Sequence, residues 1–290
     1  MTSGGDHFSE HAGARLRWRN EGGGPALVLL HGWALDLSSW NLLATLLATR
    51  FTVLSFDRRG FGLSEGTPDI HRNVDDLRAV MDIAGVREAT LVGMSQGARL
   101  ALHFAMAHPA RVRALVLDGA PEIEAESELP LALYRQRLES AGAPALRAMI
   151  LTHPLMQLHS AAPAARATLV ESLSHYRGLD LIHSVARATA PDLQQISVPT
   201  LVLNGALDSP ERREAGKRIA AAIPGAARVE LPNAGHLALL DDPVAYDAKL
   251  TGYVQQRAQT LSLIHILRVS NTPRSPAAFM SRARLRLLRL

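Results

Sequence analysis

The sequence predicts an α/β fold: a mostly parallel central sheet with helices on both faces and a helical lid insertion. Three observations predict it. Short Val- and Leu-rich runs alternate with segments of helical spacing, the runs are almost continuously apolar, and the alternation stops between about residues 121 and 195. Strands apolar on both sides are those covered on both faces, as in a parallel sheet, and the alternation itself implies right-handed crossovers.

In chain order, the predicted strands are ALVLL (26–30), FTVLSF (51–56), ATLVGM (89–94), RALVLDG (113–119), PTLVLNG (199–205) and ARVELP (227–232). ARLRWRN (14–20) precedes them as an antiparallel edge strand. Helical spacing marks 38–50, 73–85 and 96–109, with Ser38 as an N-cap and Gly85 and Pro109 as stops. The helices at 210–225 and 242–258 open with Pro210 and Pro243, and proline suits the first helical turn. Residues 121–195 read as helices alone. An insertion of that kind arches over the carboxyl ends of the strands, where ligands bind. The resulting organisation is a core of 1–120 and 196–260, a helical lid of 121–195, and a tail of 261–290.

Composition narrows the function. Hydrophobic residues make up 47% and charged residues 20%, as in an ordinary folded chain. There is no cysteine, so disulfides, thiolate catalysis and zinc–cysteine sites are excluded. No apolar run is long enough for a bilayer span, and the start MTSGGDHFSEH does not read as a signal peptide, so a cytoplasmic location is expected. The net charge of +4 comes from the end of the chain. Six of the 31 basic residues are arginines at 268, 274, 282, 284, 286 and 289, which leaves 25 against the 27 acidic residues. With no basic stripe on the body, a nucleic-acid partner is not expected. The tail opens with LSLIHI (261–266), which resembles a translated sequencing adapter, and it is read as non-native or disordered.

Four motifs carry chemistry, each at the end of a predicted strand: HGW (31–33), DRRGFGLS (57–64), GMSQG (93–97), and GALD with GH (205–208 and 235–236). Ser95 has glycines on both sides at a spacing of two, where a buried strand turns into a helix. As a bare N-cap it needs no such glycines. As a nucleophile on a sharp turn it does, because the chain passes close to its neighbours in a conformation costly for larger residues.

These motifs, in this order over residues 25–258, resemble the α/β-hydrolase family, and the resemblance implies roles for individual residues. Ser95 is the nucleophile, His236 the base that takes its proton, and Asp208 the carboxylate that orients the imidazole. Asp118, at the end of RALVLDG, is the alternative acid, because some members of the family draw it from there. The backbone amides of Trp33 and Gln96 form the oxyanion hole. His31 braces the loop rather than reacting, and Trp33 also forms a pocket wall. DRRGFGLS is read as structural, with Asp57, Arg58 and Arg59 pairing across the turn. The lid histidines 153, 159, 175 and 183 lack the paired spacing of a metal site, and neither metal nor cofactor is expected.

A serine at position 95 argues against the aspartate-nucleophile haloalkane dehalogenases and epoxide hydrolases of the family. The absence of a tryptophan after it argues against proline iminopeptidases. HGW with DRRGFG is similar to cofactor-free perhydrolases and aryl esterases, whose glycine-rich stretch after the elbow is replaced here by GARLAL. The resemblance therefore implies a serine hydrolase of a small-molecule carboxylic ester, lactone or thioester. The alternative is a ligand receptor or signalling regulator that retains the triad, since a fold does not dictate an activity.

Overall fold

The computed structural model of the chain describes residues 4–122, 129–183 and 190–270, with side chains as far as residue 257. The sheet and the candidate site lie in the first of two units, Met1–Thr251; the second begins at Gly252. Eight strands make one sheet: β1 (His7–His11), β2 (Ala14–Gly22), β3 (Ala26–Leu30), β4 (Thr52–Phe56), β5 (Ala89–Met94), β6 (Val112–Asp118), β7 (Thr200–Gly205) and β8 (Ala227–Leu231). Their order across the sheet is β1-β2-β4-β3-β5-β6-β7-β8. From β4 to β8 all neighbours are parallel, while β2 runs antiparallel to both β1 and β4.

Successive side chains of a strand face opposite ways, and both sets are buried here. Val28, Leu30, Leu54, Phe56, Leu91, Leu115, Leu117 and Val202 form one cluster with side chains of α2 (Ile70–Ile83), α3 (Gln96–Ala107) and α7 (Pro210–Ala222). Their alternates Leu27, Leu29, Val53, Val92, Val116 and Leu203 are buried outside that cluster, on the face where α1 (Asn41–Leu47) lies against β4 and α8 (Ala238–Asp241). Each such leucine or valine contributes about 1.5–3 kcal/mol of burial. Helices therefore cover both faces, which is why the strand runs lack alternation in the sequence.

Between β6 and β7 the described residues form α4 (Leu131–Ile150), α5 (Pro163–Ser174) and α6 (Leu179–Ile182), with no strand among them. α4 is interrupted at Gly142 (φ 77°, ψ 177°), just before Pro144, which separates the two helical segments read from the sequence. Part of the expected lid segment, 184–189, lies outside the described residues. The last helix, α9 (Pro243–Ser270), continues past residue 260, so helical structure crosses the point where the tail was expected to begin. Residues 271–290 lie outside those described.

Several local expectations need correction. ARLRWRN is antiparallel but is not the edge, because β1 pairs outside it through a tight turn at Ala12 (φ 45°) and Gly13 (φ 74°). Two positive φ values suit this kind of hairpin, but alanine in the first position hides the usual Asn-Gly or Asp-Gly signal. Ser38 is not the cap. Asp36 is, its Oδ1 accepting from the Ser38 amide at 2.9 Å, and a 3₁₀ turn (Leu37–Trp40) comes before α1. α2 starts at Ile70 behind Asp69, which accepts from the His71 and Arg72 amides. α3 stops at Ala107, and Pro109 opens a 3₁₀ turn instead.

Candidate active site

The sheet brings the predicted residues to one end. β5 delivers Ser95, β7 leads into Asp208, and the loop after β8 carries His236. Ser95 sits at φ 53°, ψ −114°, a left-handed-side conformation costly for any residue with a Cβ. Its amide donates to the Asp118 carbonyl at 2.7 Å, which ties the turn to β6. The flanking glycines are required by close approach. A Cβ on Gly93 would overlap the Gly97 carbonyl, and one on Gly97 would overlap the Leu30 carbonyl. α3 can therefore start immediately after Ser95, packed against the end of β3. As a bare cap Ser95 fails, since its side chain makes no capping hydrogen bond.

His236 and Asp208 meet. The imidazole Nδ1 lies 3.0 Å from Asp208 Oδ2, with both residues buried. A Cβ on Gly205 would overlap the carbonyls of Ala234 and Gly235, so that glycine lets the loop carrying Asp208 approach the one carrying His236. The other Asp208 oxygen accepts from the Ser209 amide at 2.8 Å, and Ser209, not Asp208, caps α7.

Asp118 holds Ser95 by its backbone, but its side chain is fully buried and makes no hydrogen bond to the imidazole. The Tyr246 hydroxyl lies against the carboxyl without reaching hydrogen-bond geometry. Burial first, and the nearby Asp208 carboxylate second, push its pKa well above the usual carboxylate range. Both effects favour the protonated, neutral form of the carboxyl over the charged one.

The oxyanion-hole candidates are held by a buried arginine. Arg58 Nη2 donates to the Gly32 carbonyl at 3.0 Å, Nη1 reaches Gln96 Oε1 at 3.4 Å, and the guanidinium stacks over Phe61. Burial lowers its pKa to about 10, which leaves it a cation at neutral pH. The Arg58 amide donates to His31 Nε2 at 2.9 Å, so the neutral ring carries its proton on Nδ1, beside the Gly32 carbonyl. His31 thus braces the loop, and burial lowers its pKa well below the usual value. As the first residue of α3, Gln96 has an amide that no helical carbonyl can accept from, aimed where a helix N-terminus favours negative charge. The expected pairing within DRRG does not occur. Asp57 turns to Arg17, and Arg59 makes a buried two-point contact with Asp76 in α2.

The helical insertion is tied to the same loop. Asp180 in α6 accepts from Trp33 Nε1 and from the Tyr176 hydroxyl, both at 2.7 Å. Ser172 Oγ accepts from the Asp36 amide at 2.8 Å, and His175 Nδ1 lies 2.7 Å from Asp36 Oδ2. Among the described residues no group of three or more His, Asp or Glu is placed to hold a metal ion. Sequence reasoning did not single out one close neighbour of Ser95. Arg212, buried in the first turns of α7, points Nη1 at Ser95 Oγ at 3.3 Å and donates to the Gly119 carbonyl at 2.9 Å. Nothing in the run PERRE distinguishes it from the arginine beside it.

Ser95, Gln96, Trp33, His236 and Arg212 line one cavity of about 1010 Å³, whose walls include Leu131, Leu133, Leu155 and Met156 from the insertion. The alpha/beta hydrolase fold family matches residues 25–243. The chain belongs to the α/β-hydrolase family. A pimeloyl-[acyl-carrier protein] methyl ester esterase of Chromobacterium violaceum is 30% identical to this α/β hydrolase over 251 residues, covering 82% of this chain and 97% of that one. The enol-lactonase of Burkholderia xenovorans superposes with a TM-score of 0.75 at 25% identity, covering 86% of this chain and 100% of that one. A hydrolase from Pseudomonas aeruginosa gives 0.73 at 28% identity, covering 87% and 99%. Among the described residues, no helix of this α/β hydrolase is long and apolar enough to cross a membrane.

Proposed function

We propose that this α/β hydrolase is a serine hydrolase that cleaves a small carboxylic ester, lactone or thioester through an acyl-enzyme on Ser95. The observation that carries the reading is the His236–Asp208 contact of 3.0 Å, on a cavity that also receives the strained Ser95. In the first half-reaction Ser95 Oγ bonds to the acyl carbon and its proton passes to His236. The carbonyl oxygen becomes an oxyanion between the Trp33 and Gln96 amides, a contribution worth about 10²–10³ in rate per donor. The bond to the leaving alcohol or thiol then breaks, and His236 returns the proton to it. Water repeats the sequence in reverse and frees the acid. Asp208 keeps the imidazole proton on Nδ1 and stabilises the imidazolium. The cycle balances with water alone. Helices α4 to α6 act as the lid that shapes the acyl pocket. The relatives named above, an esterase and a lactonase, support the substrate class. The cysteine-free composition supports a cytoplasmic setting.

The test is a panel of p-nitrophenyl acyl esters and lactones, with steady-state turnover compared against a single burst. Continued turnover, abolished together with fluorophosphonate labelling by Ser95→Ala, is the expected result. One stoichiometric burst without turnover would favour a ligand receptor that keeps the triad. Labelling undiminished in Ser95→Ala would place the nucleophile elsewhere.

A further inference from the structure

Arg212 is positioned with more care than a helix surface residue needs. Its amide is taken by the Ser209 cap at 3.2 Å, and its carbonyl accepts from Asn204 Nδ2 at 3.2 Å. Asn204 is buried at the end of β7, and a Cβ on Gly216, one turn along α7, would overlap its side chain. Glycine there lets α7 sit close enough for the bond. Backbone and side chain are thus both fixed, and the guanidinium Nη1 is held against Gly119 and Ser95 in the wall of the cavity.

The position constrains what can react. In a productive pose the scissile carbon lies about 3–3.5 Å from the attacking oxygen. Nη1 is 3.3 Å from that same oxygen, so it reaches substituents one or two carbons from the scissile ester. The carbonyl oxygen itself is directed to the Trp33 and Gln96 amides. An alkyl group at that place would lie against a buried cation, whereas an anionic oxygen would receive a charge-assisted hydrogen bond. It would also take the place of Ser95 Oγ at Nη1, leaving the serine lone pair free for attack.

We propose that Arg212 is a specificity-determining residue that selects substrates bearing a carboxylate on the carbon next to the scissile ester group. The inference rests on the serine-hydrolase reading above. The carboxylate can belong to the acyl part, as in a malonate half-ester, or to the alcohol part, as in an acylated glycolate. Both place the same anion beside Ser95.

The experiment compares matched pairs on the full chain: monomethyl malonate against methyl 3-methylbutanoate, and acetoxyacetate against 2-methylpropyl acetate. In each pair the carboxylate is replaced by an isopropyl group of similar shape. The wild type is expected to favour the anion in at least one pair by about 10- to 100-fold in kcat/KM, the scale of a hydrogen bond to a charged group. The pair that shows it identifies the side of the ester. Arg212→Gln should bring the ratio towards one, and Arg212→Lys should keep part of it; circular dichroism establishes that both fold. A ratio near one in the wild type, or one unchanged by Arg212→Gln, overturns the proposal. Neutral-ester turnover and fluorophosphonate labelling of Ser95 in the same samples show whether the hydrolase reading stands when this one falls. Malonate supplies a readout without turnover. A melting-temperature rise with malonate that Arg212→Gln removes supports the anion site even if no ester is cleaved, and its absence counts against it.

Discussion

Replacing each candidate acid by its amide separates the two carboxyls by mechanism. Asp208 is the one in contact with His236, at 3.0 Å from Nδ1. An asparagine there offers an amide that favours the wrong imidazole tautomer, so Asp208→Asn should lower kcat by about 10³- to 10⁴-fold. At roughly 1.4 kcal/mol per tenfold, that is about 4–5.5 kcal/mol of transition-state stabilisation. Asp118 is buried and its pKa is raised, chiefly by burial. Its carboxyl makes no hydrogen bond to His236, so Asp118→Asn should cost kcat about tenfold or less. The stability that Asp118 confers should respond to pH in a definite direction. An acid whose folded pKa lies above its unfolded value contributes fully below the unfolded pKa, near pH 4, and loses that contribution as pH rises towards the folded one. The slope approaches about 1.4 kcal/mol per pH unit. The amide does not titrate, so the melting temperature of Asp118→Asn relative to wild type should climb as pH rises above about 4. The assays are kcat on one ester for both variants, after circular dichroism, and melting curves at each pH. A dead Asp118→Asn beside an active Asp208→Asn would move the acid to β6. A melting difference independent of pH would mean that folding does not raise the Asp118 pKa.

Three further outcomes follow from single positions. Ser95→Gly should abolish fluorophosphonate labelling yet raise the melting temperature by a few degrees, because glycine relieves a strain of about 1–3 kcal/mol at φ 53° against an entropy cost of about 0.5–1; a clear fall in melting temperature would contradict the strain. Gly119→Ala places a Cβ 2.9 Å from His236 Nδ1 at a backbone φ of 52°, so kcat should fall at least about 100-fold through the displaced imidazole, and an unchanged kcat would refute that geometry. Deleting residues 261–290, which hold six arginines and no acid, should leave melting temperature and esterase rate unchanged; a large loss of either would show that the segment is part of the working protein.

What could be read from the sequence was what the chain encodes locally. A strand, a glycine and a reactive side chain at its end are contiguous in sequence, so the motifs holding Ser95 and His236 were legible, and the family resemblance gave them roles, with Asp208 preferred and Asp118 left as the alternative acid. The parallel sheet was legible for the same reason, since burial on both faces leaves unbroken apolar runs. The hairpin of β1 and β2 was hidden by Ala12, which adopts a conformation that its residue type does not advertise. DRRG was misread because opposite charges adjacent in sequence suggest a local pair. Arg59 instead reaches Asp76, and Arg17 comes from β2 to meet Asp57.

The choice between Asp118 and Asp208 shows where local reading stops. Asp118 ends β6 and Asp208 follows β7 at the same end of the sheet, both are buried, and they lie within electrostatic reach of each other. What separates them is side-chain direction, set by packing from distant parts of the chain. Tyr246 lies against one carboxyl, while Gly205 admits the loop that brings His236 to the other. Arg212 belongs to the same class of information. Its role depends on Asn204 and Gly216 seating α7, and on Gly119 leaving its carbonyl open to the guanidinium. The elbow and its base set the chemistry, and residues of this second kind set which substrate meets it. That is why the motifs indicate a hydrolase, while the substrate has to be argued from the charge that α7 places beside the nucleophile.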